Sequence, residues 1–252
     1  MTKNLFAKAI EQDFIRHALE EYPKEACGLI IDAGVYVPMK NVHETPKGDF
    51  RMNAPAFNEY YLAGRVKAVM HSHTMISPYK NNFPSRKDMI SQAQMKVPWG
   101  IVHITPSKDI DGPFYFGDEV PIADLVGREF RPNVHDCYSL LRDDMFLTKG
   151  IRLPQFPREG LWWDDGKNIL EQNFAKAGFI QIDKTQLRPG NVMLGNVNAP
   201  RHNKVLNHIM IVKDKGQILH HLNGRLSRPD PIQQWIKTAT VFLKYTGEGM
   251  DA

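Results

Sequence analysis

Cysteine is almost absent from this 252-residue chain, with Cys27 and Cys137 its only two. Two thiols in no metal-type spacing exclude both a disulfide framework and a cysteine metal cluster, so each is weighed as a lone thiol. Long apolar runs are also missing, and no stretch approaches the roughly 18 residues that a membrane span needs. The opening Met1-Thr2-Lys3-Asn4 has no basic-then-apolar segment, which leads us to expect a chain made in a reducing cytoplasm. Dense basic blocks are lacking too. A formal charge of +4 is spread along the chain, which argues against nucleic acid; it suits an acidic partner surface or simply a solvated mixed one. There is no internal repeat and no low-complexity segment. What remains, 42% hydrophobic and 24% charged, is the composition of an ordinary globular protein.

Taken in order, Ile10, Phe14, Ala18 and Leu19 share one face of a helix over 8–22 that Pro23 stops. Glu25 to Ile31 reads as an apolar strand opened by a carboxylate. Further strands are expected at 35–39, at Val66 to His71 running into Ser72-His73, and at 99–104, with a helix over 85–95. That alternation predicts a compact α/β domain. Residues 108–132, broken by Asp111-Gly112-Pro113, Gly117-Asp118, Gly127 and Pro132, are the expected boundary, near residue 125. Beyond it we expect helices over 136–149 and about 167–177, a Pro-rich loop over 153–163, and strands at 179–182, 191–194, 206–213 and 217–222. Helices first and an antiparallel sheet later indicate α+β.

Two clusters carry chemistry. His71 and His73, at i and i+2 of an extended segment, project to one side and can share a cation; Asp88 is a candidate third ligand. Three nitrogen and oxygen ligands with one open position form the catalytic zinc pattern, and a carboxylate such as Glu25 could then move the proton. The same residues have a purely local reading: Ser85 is a helix N-cap and Asp88 sits where the helix dipole favours an acid. Cys27, within an apolar strand, reads as a small buried hydrophobe. Taken together, Pro23-Lys24-Glu25-Ala26-Cys27-Gly28-Leu29-Ile30, then His71-Ser72-His73, then Ser85-Arg86-Lys87-Asp88 resembles the JAMM/MPN metalloprotease pattern over roughly residues 8–106. The resemblance implies Glu25 as general base, His71, His73 and Asp88 as ligands of Zn2+, Ser85 as donor to a tetrahedral intermediate, and hydrolysis of an amide or isopeptide bond. The loop from Thr74 to Pro84 is about four residues longer than that pattern usually has.

The second cluster starts at Val134-His135-Asp136-Cys137-Tyr138-Ser139, where a cysteine falls in the first turn of an amphipathic run. The positive end of a helix favours thiolate, so a depressed thiol pKa is expected there. Such a nucleophile needs a base and an orienting group. Asn207-His208 interrupts a strand, and His220-His221 lies past the turn Asp214-Lys215-Gly216, so His208 and His220 come out as direct or diagonal neighbours across a hairpin. Taken singly, each histidine also reads as a satisfied structural one. The ordered set resembles the NlpC/P60 family of papain-like hydrolases over about 125–245, which implies Cys137 as nucleophile, His208 as base, His220 as orienting residue and the Cys137 backbone N–H as part of an oxyanion hole. Tyr138-Ser139 and Asn191 depart from that family's commoner residues.

The expectation is therefore two domains, an α/β JAMM/MPN-like domain over 1–120 and an α+β papain-like NlpC/P60 domain over 125–252. This pairing, with Asp136-Cys137-Tyr138, Leu153 to Phe156 and His220 to Ser227, resembles the tail tip assembly protein K family of long-tailed bacteriophages. That resemblance implies a peptidoglycan stem-peptide hydrolase acting in tail tip assembly or cell-wall penetration. It further implies other tail tip proteins as partners, and residence in the host cytoplasm during assembly and at the virion tail tip afterwards. Arg201 and Arg225 are candidate contacts for acidic D-centres of such a peptide. The alternative is a structural tail tip component whose two folds serve docking with idle sites; an isopeptidase of ubiquitin-like modifiers would leave the cysteine cluster unexplained.

Overall fold

The structure, a computed structural model, describes residues 5–74, 83–158, 162–197 and 204–248. The chain divides into two compact units, residues 1–121 and 122–252. Residues 75–82 of the lengthened loop, residues 159–161 and Arg201 lie outside the described residues.

The first unit contains α1 (Lys8–Glu21), β1 (Cys27–Ile31), β2 (Val35–Met39), α2 (Ala54–Tyr61), β3 (Val66–His73), α3 (Arg86–Met95), β4 (Trp99–Ile104) and β5 (Ile110–Phe116). Its sheet runs β2-β1-β3-β4-β5, antiparallel except for the β3–β4 pair. One face is packed by α1: Phe14 and Ala18 meet Ala26, Ile30, Ala68, Met70, Val102 and Ile104 in a buried apolar core. Strand alternation therefore turns the other set of β3 residues, Val69, His71 and His73, to the opposite face.

Two elements here depart from the sequence expectation. Helix α2 forms because Asn53 caps it, accepting from the Ala56 N–H, and Pro55 suits a first turn; it buries no residue, so no apolar stripe announces it. Strand β5 runs through Asp111-Gly112-Pro113, which reads as a break. As the last strand of the sheet it tolerates a proline, and Gly112 has φ +114 with a Cβ position only 2.6 Å from the Ile101 carbonyl oxygen, so no other residue fits easily.

The second unit contains α4 (Cys137–Lys149), α5 (Ile169–Asn173), β6 (Phe179–Gln181), β7 (Val192–Gly195), β8 (His208–Lys213), β9 (Gln217–His220), β10 (Arg228–Pro231) and β11 (Ala239–Tyr245). All neighbours in its sheet, β10-β9-β8-β7-β11-β6, are antiparallel. Leu140, Leu141 and Met145 of α4 pack on Val192, Leu194, Ile209 and Ile211, and Lys213 of β8 pairs with the buried Asp144 of α4. The expected helix over 167–177 is cut to α5, and the chain turns at Gly178, φ +81. Strands β10 and β11 are absent from the sequence expectation. Arg228-Pro229-Asp230-Pro231 carries two prolines, a strand only because β10 lies at the edge of the sheet.

Candidate active sites

In the first unit the end of β3 delivers both imidazoles to one point. His71 Nε2 lies 3.1 Å from His73 Nε2, and Asp88 Oδ2 lies 3.5 Å from each. All three side chains are buried. The local reading of Ser85 and Asp88 and the ligand reading turn out to be compatible. Ser85 caps α3 by accepting from the Asp88 N–H at 3.2 Å, and Asp88 Oδ2 accepts from the Ser85 N–H at 2.7 Å; this capping box aims the same oxygen at the histidines. The imidazole of His71 stacks on Phe50, centroids 4.6 Å apart, and meets Trp99 edge-on. Burial would raise the Asp88 pKa, but the two imidazoles hold it well below the usual carboxylate range.

Glu25, buried just before β1, lines a cavity of about 120 Å³ together with His73, Ser85 and Asp88. Its segment is fixed by Asn41, whose amide nitrogen donates to the Glu25 and Asp49 carbonyls at 2.9 and 3.1 Å while its oxygen accepts from His43 and Arg51 N–H groups. The donor triangle fits a zinc ion: with ligand bonds near 2.0–2.1 Å in tetrahedral array, donor atoms stand about 3.3–3.4 Å apart, against the 3.1 and 3.5 Å found. Cys27 is buried on β1.

In the second unit Cys137 is the first residue of α4. Asp136 caps that helix: Oδ1 accepts from both the N–H and the hydroxyl of Ser139 at 2.9 Å, and Oδ2 accepts from the Asn133 N–H at 3.1 Å. Behind Asp136 stands Arg158, only 1% exposed, donating to its two oxygens at 2.9 and 3.1 Å. Cys137 and His208 line one cavity of about 170 Å³, with Trp162, Trp163, Asn207 and His221 also on its wall. The thiol is 3.9 Å from the Asn207 carbonyl oxygen, one residue before His208. His208 Nε2 is 3.0 Å from His220 Nδ1, and His220 Nε2 is 3.1 Å from Asp230 Oδ2. Sequence reasoning missed Asp230 and its neighbour Trp235, whose indole nitrogen donates to the same oxygen at 3.1 Å.

Family models match both units: prokaryotic homologs of the JAB domain over residues 7–112 and the NlpC/P60 family over residues 117–244. The chain is 33% identical over 167 residues to the tail tip assembly protein K of Escherichia phage lambda, covering 66% of this chain and 75% of that one. The chain belongs to the tail tip assembly protein K family. A second member, from Escherichia phage N15, is 28% identical over 220 residues, 85% of each chain. Among solved structures, the NlpC/p60 domain of the peptidoglycan hydrolase SagA is similar at a TM-score of 0.32 and 15% identity, covering 48% of this chain and 89% of that one. An NlpC/P60 family protein from Bacillus cereus is similar at 0.33 and 11%, covering 93% and 66%. Membership rests on the sequence matches. As a member of the K family the chain combines a JAB-type α/β domain with an NlpC/P60 α+β domain.

One expectation for the K-family cysteine is corrected. The thiol pKa is not depressed: burial, reinforced by the Asp136 carboxylate, pushes Cys137 up to about 12 despite its helix-start position. Burial likewise lowers His208 to about 3, with His220 and His221 adding to the shift. The resting pair is a neutral thiol and a neutral imidazole.

Proposed function

We propose that the second domain is a cysteine amide hydrolase acting on peptidoglycan stem peptides and that the first is a zinc-dependent amide or isopeptide hydrolase, both working at the phage tail tip. The observation that carries the reading is the shared cavity, which Cys137 and His208 both line while His208 Nε2 is occupied by His220. That contact leaves His208 Nδ1 as the nitrogen that takes the thiol proton. With both groups neutral at rest, the transfer accompanies attack: the Cys137 sulfur bonds to the amide carbon as its proton passes to His208. The backbone N–H of Cys137 donates to the oxyanion. His208 then returns the proton to the leaving amine, and water, deprotonated by His208, cleaves the thioester and restores the thiol.

In the first domain His71, His73 and Asp88 would hold zinc, which supplies the Lewis acidity that brings a water pKa near 7. The Glu25 carboxylate takes the proton of the attacking water and passes it to the departing amine. Ser85 Oγ accepts from the Asp88 N–H, so its own proton is available to the developing oxyanion. The proteins that share the K name are tail tip assembly proteins. For this chain the corresponding reading is assembly with other tail components in the host cytoplasm, then residence at the virion tail tip. The alternative, a docking component with idle sites, draws support from the neutral resting state of Cys137 and His208.

The deciding experiment incubates wild type and Cys137→Ala with purified sacculi and reads released fragments by mass spectrometry. Cysteine-dependent peptides establish the hydrolase and identify its bond. No release from either protein transfers support to the docking role.

A further inference from the structure

The histidine pair does not end at His220. Its other ring nitrogen faces a carboxylate that no motif assigns, and the strand register explains how that carboxylate arrives. Met210 pairs with His220 across β8 and β9, and Ile218 pairs with Asp230 across β9 and β10. His208, His220 and Asp230 therefore step diagonally across three strands on one face of the sheet. Asp230 is held from three sides. Its Oδ2 accepts from His220 Nε2, Arg228 and the Trp235 indole, each at 3.1 Å, and its Oδ1 pairs with the Arg228 Nε at 3.1 Å. The Trp235 ring also packs edge-on against His220, centroids 4.5 Å apart.

Hydrogen-bond direction along this row is forced. An ionised carboxylate only accepts, so His220 must carry its proton on Nε2; a neutral His220 then has a lone pair on Nδ1. Nδ1 can only accept, so the neighbouring His208 must carry its proton on Nε2 as well. The lone pair of His208 thus lands on Nδ1.

We propose that Asp230 is a positioning residue of the cysteine site, one that sets the tautomers of both His220 and His208 and so leaves His208 with a basic Nδ1 for the Cys137 proton. The inference rests on the role proposed for Cys137 and His208, and it deepens that reading by adding the group that selects the active tautomer. Charged and titratable groups facing the row are Arg228 and Arg225 beside His220, and His221 beside His208.

The test is nuclear magnetic resonance of protein labelled with ¹⁵N in histidine, in which ring two-bond correlations distinguish the tautomers at pH 7.5. Wild type is expected to show His208 and His220 both protonated on Nε2. In Asp230→Ala no acceptor faces His220 Nε2, so nothing holds the row to Nε2 protonation and both rings are expected to show the Nδ1-protonated form in a mixture. Cleavage of sacculus peptides should then fall on the order of 10- to 100-fold in kcat with KM unchanged. Wild-type His208 protonated on Nδ1, or an Asp230→Ala protein with unaltered tautomers and rate, overturns the proposal. Asp230→Glu, which keeps the charge, should retain the wild-type tautomers; a flip there would also overturn it. The tautomer readout needs no turnover, so a protein that shows the expected tautomers but cleaves nothing fails the hydrolase reading and leaves only the tautomer assignment by Asp230 standing.

Discussion

The two candidate sites solve opposite problems with similar side chains. Around His71, His73 and Asp88, donor atoms converge on one point from three directions, at 3.1 to 3.5 Å. Around Cys137 the polar atoms run in a row from His208 through His220 to Asp230, each facing the next at 3.0 or 3.1 Å. A convergent set of lone pairs is completed by a cation, whereas a row is completed by its own last member. Geometry therefore distinguishes a donor set compatible with a metal ion from a row whose members satisfy one another, although histidine and aspartate supply both.

The largest effect expected from breaking this comparison is on cleavage. Cys137→Ala should remove cysteine-dependent fragments by at least about a thousandfold, while Glu25→Gln leaves them untouched; loss of the same fragments in both variants would mean the sites do not act separately. Next comes the charge behind the cysteine helix. Arg158→Met strands the Asp136 carboxylate, which should cost about 3–5 kcal/mol, seen as faster hydrogen exchange in peptides from residues 122–252 but not from 1–121.

Adding zinc should stabilise the first unit by about 2.7 kcal/mol at a hundredfold excess over Kd. The gain should vanish with a chelator or in His71→Ala, and hydrogen exchange in the second unit should not respond. The second unit should respond instead to acid. His208 titrates near 3 when folded and at an ordinary histidine value when unfolded, so its contribution is complete above about pH 6.5. As pH falls through 6.5 the unfolded chain binds the proton first, and stability declines by about 1.4 kcal/mol per unit. Denaturant titrations should show a shallower decline in His208→Gln. The smallest effect is Ser85→Ala, about 1 kcal/mol from the lost cap of α3, readable as a small fall in melting temperature.

Most of the elements that carry the two clusters were legible because their signals are local. Pro23 stops α1, the i and i+2 spacing of His71 and His73 survives on β3, and the helix expected over 136–149 starts where Cys137 was placed in its first turn. What was illegible depends on distant partners. Asp230 sits between two prolines, which locally means turn, and becomes a strand residue only because β9 is there to pair with it. Arg158 is charged, as surface residues usually are, yet it lies buried because Asp136 and the carbonyls of Asn133 and Phe156 accept hydrogen bonds from its guanidinium. The thiol pKa went the other way for the same reason: the helix start is visible in the sequence, the depth of burial is not.

Strand β10 closes one side of the second sheet with Pro229 and Pro231, neither of which has an N–H to give an incoming strand. That edge therefore presents a blunt border to any further strand. Because Asp230 lies between those prolines, the strand that blunts the edge of the sheet is also the strand that carries the carboxylate behind His220.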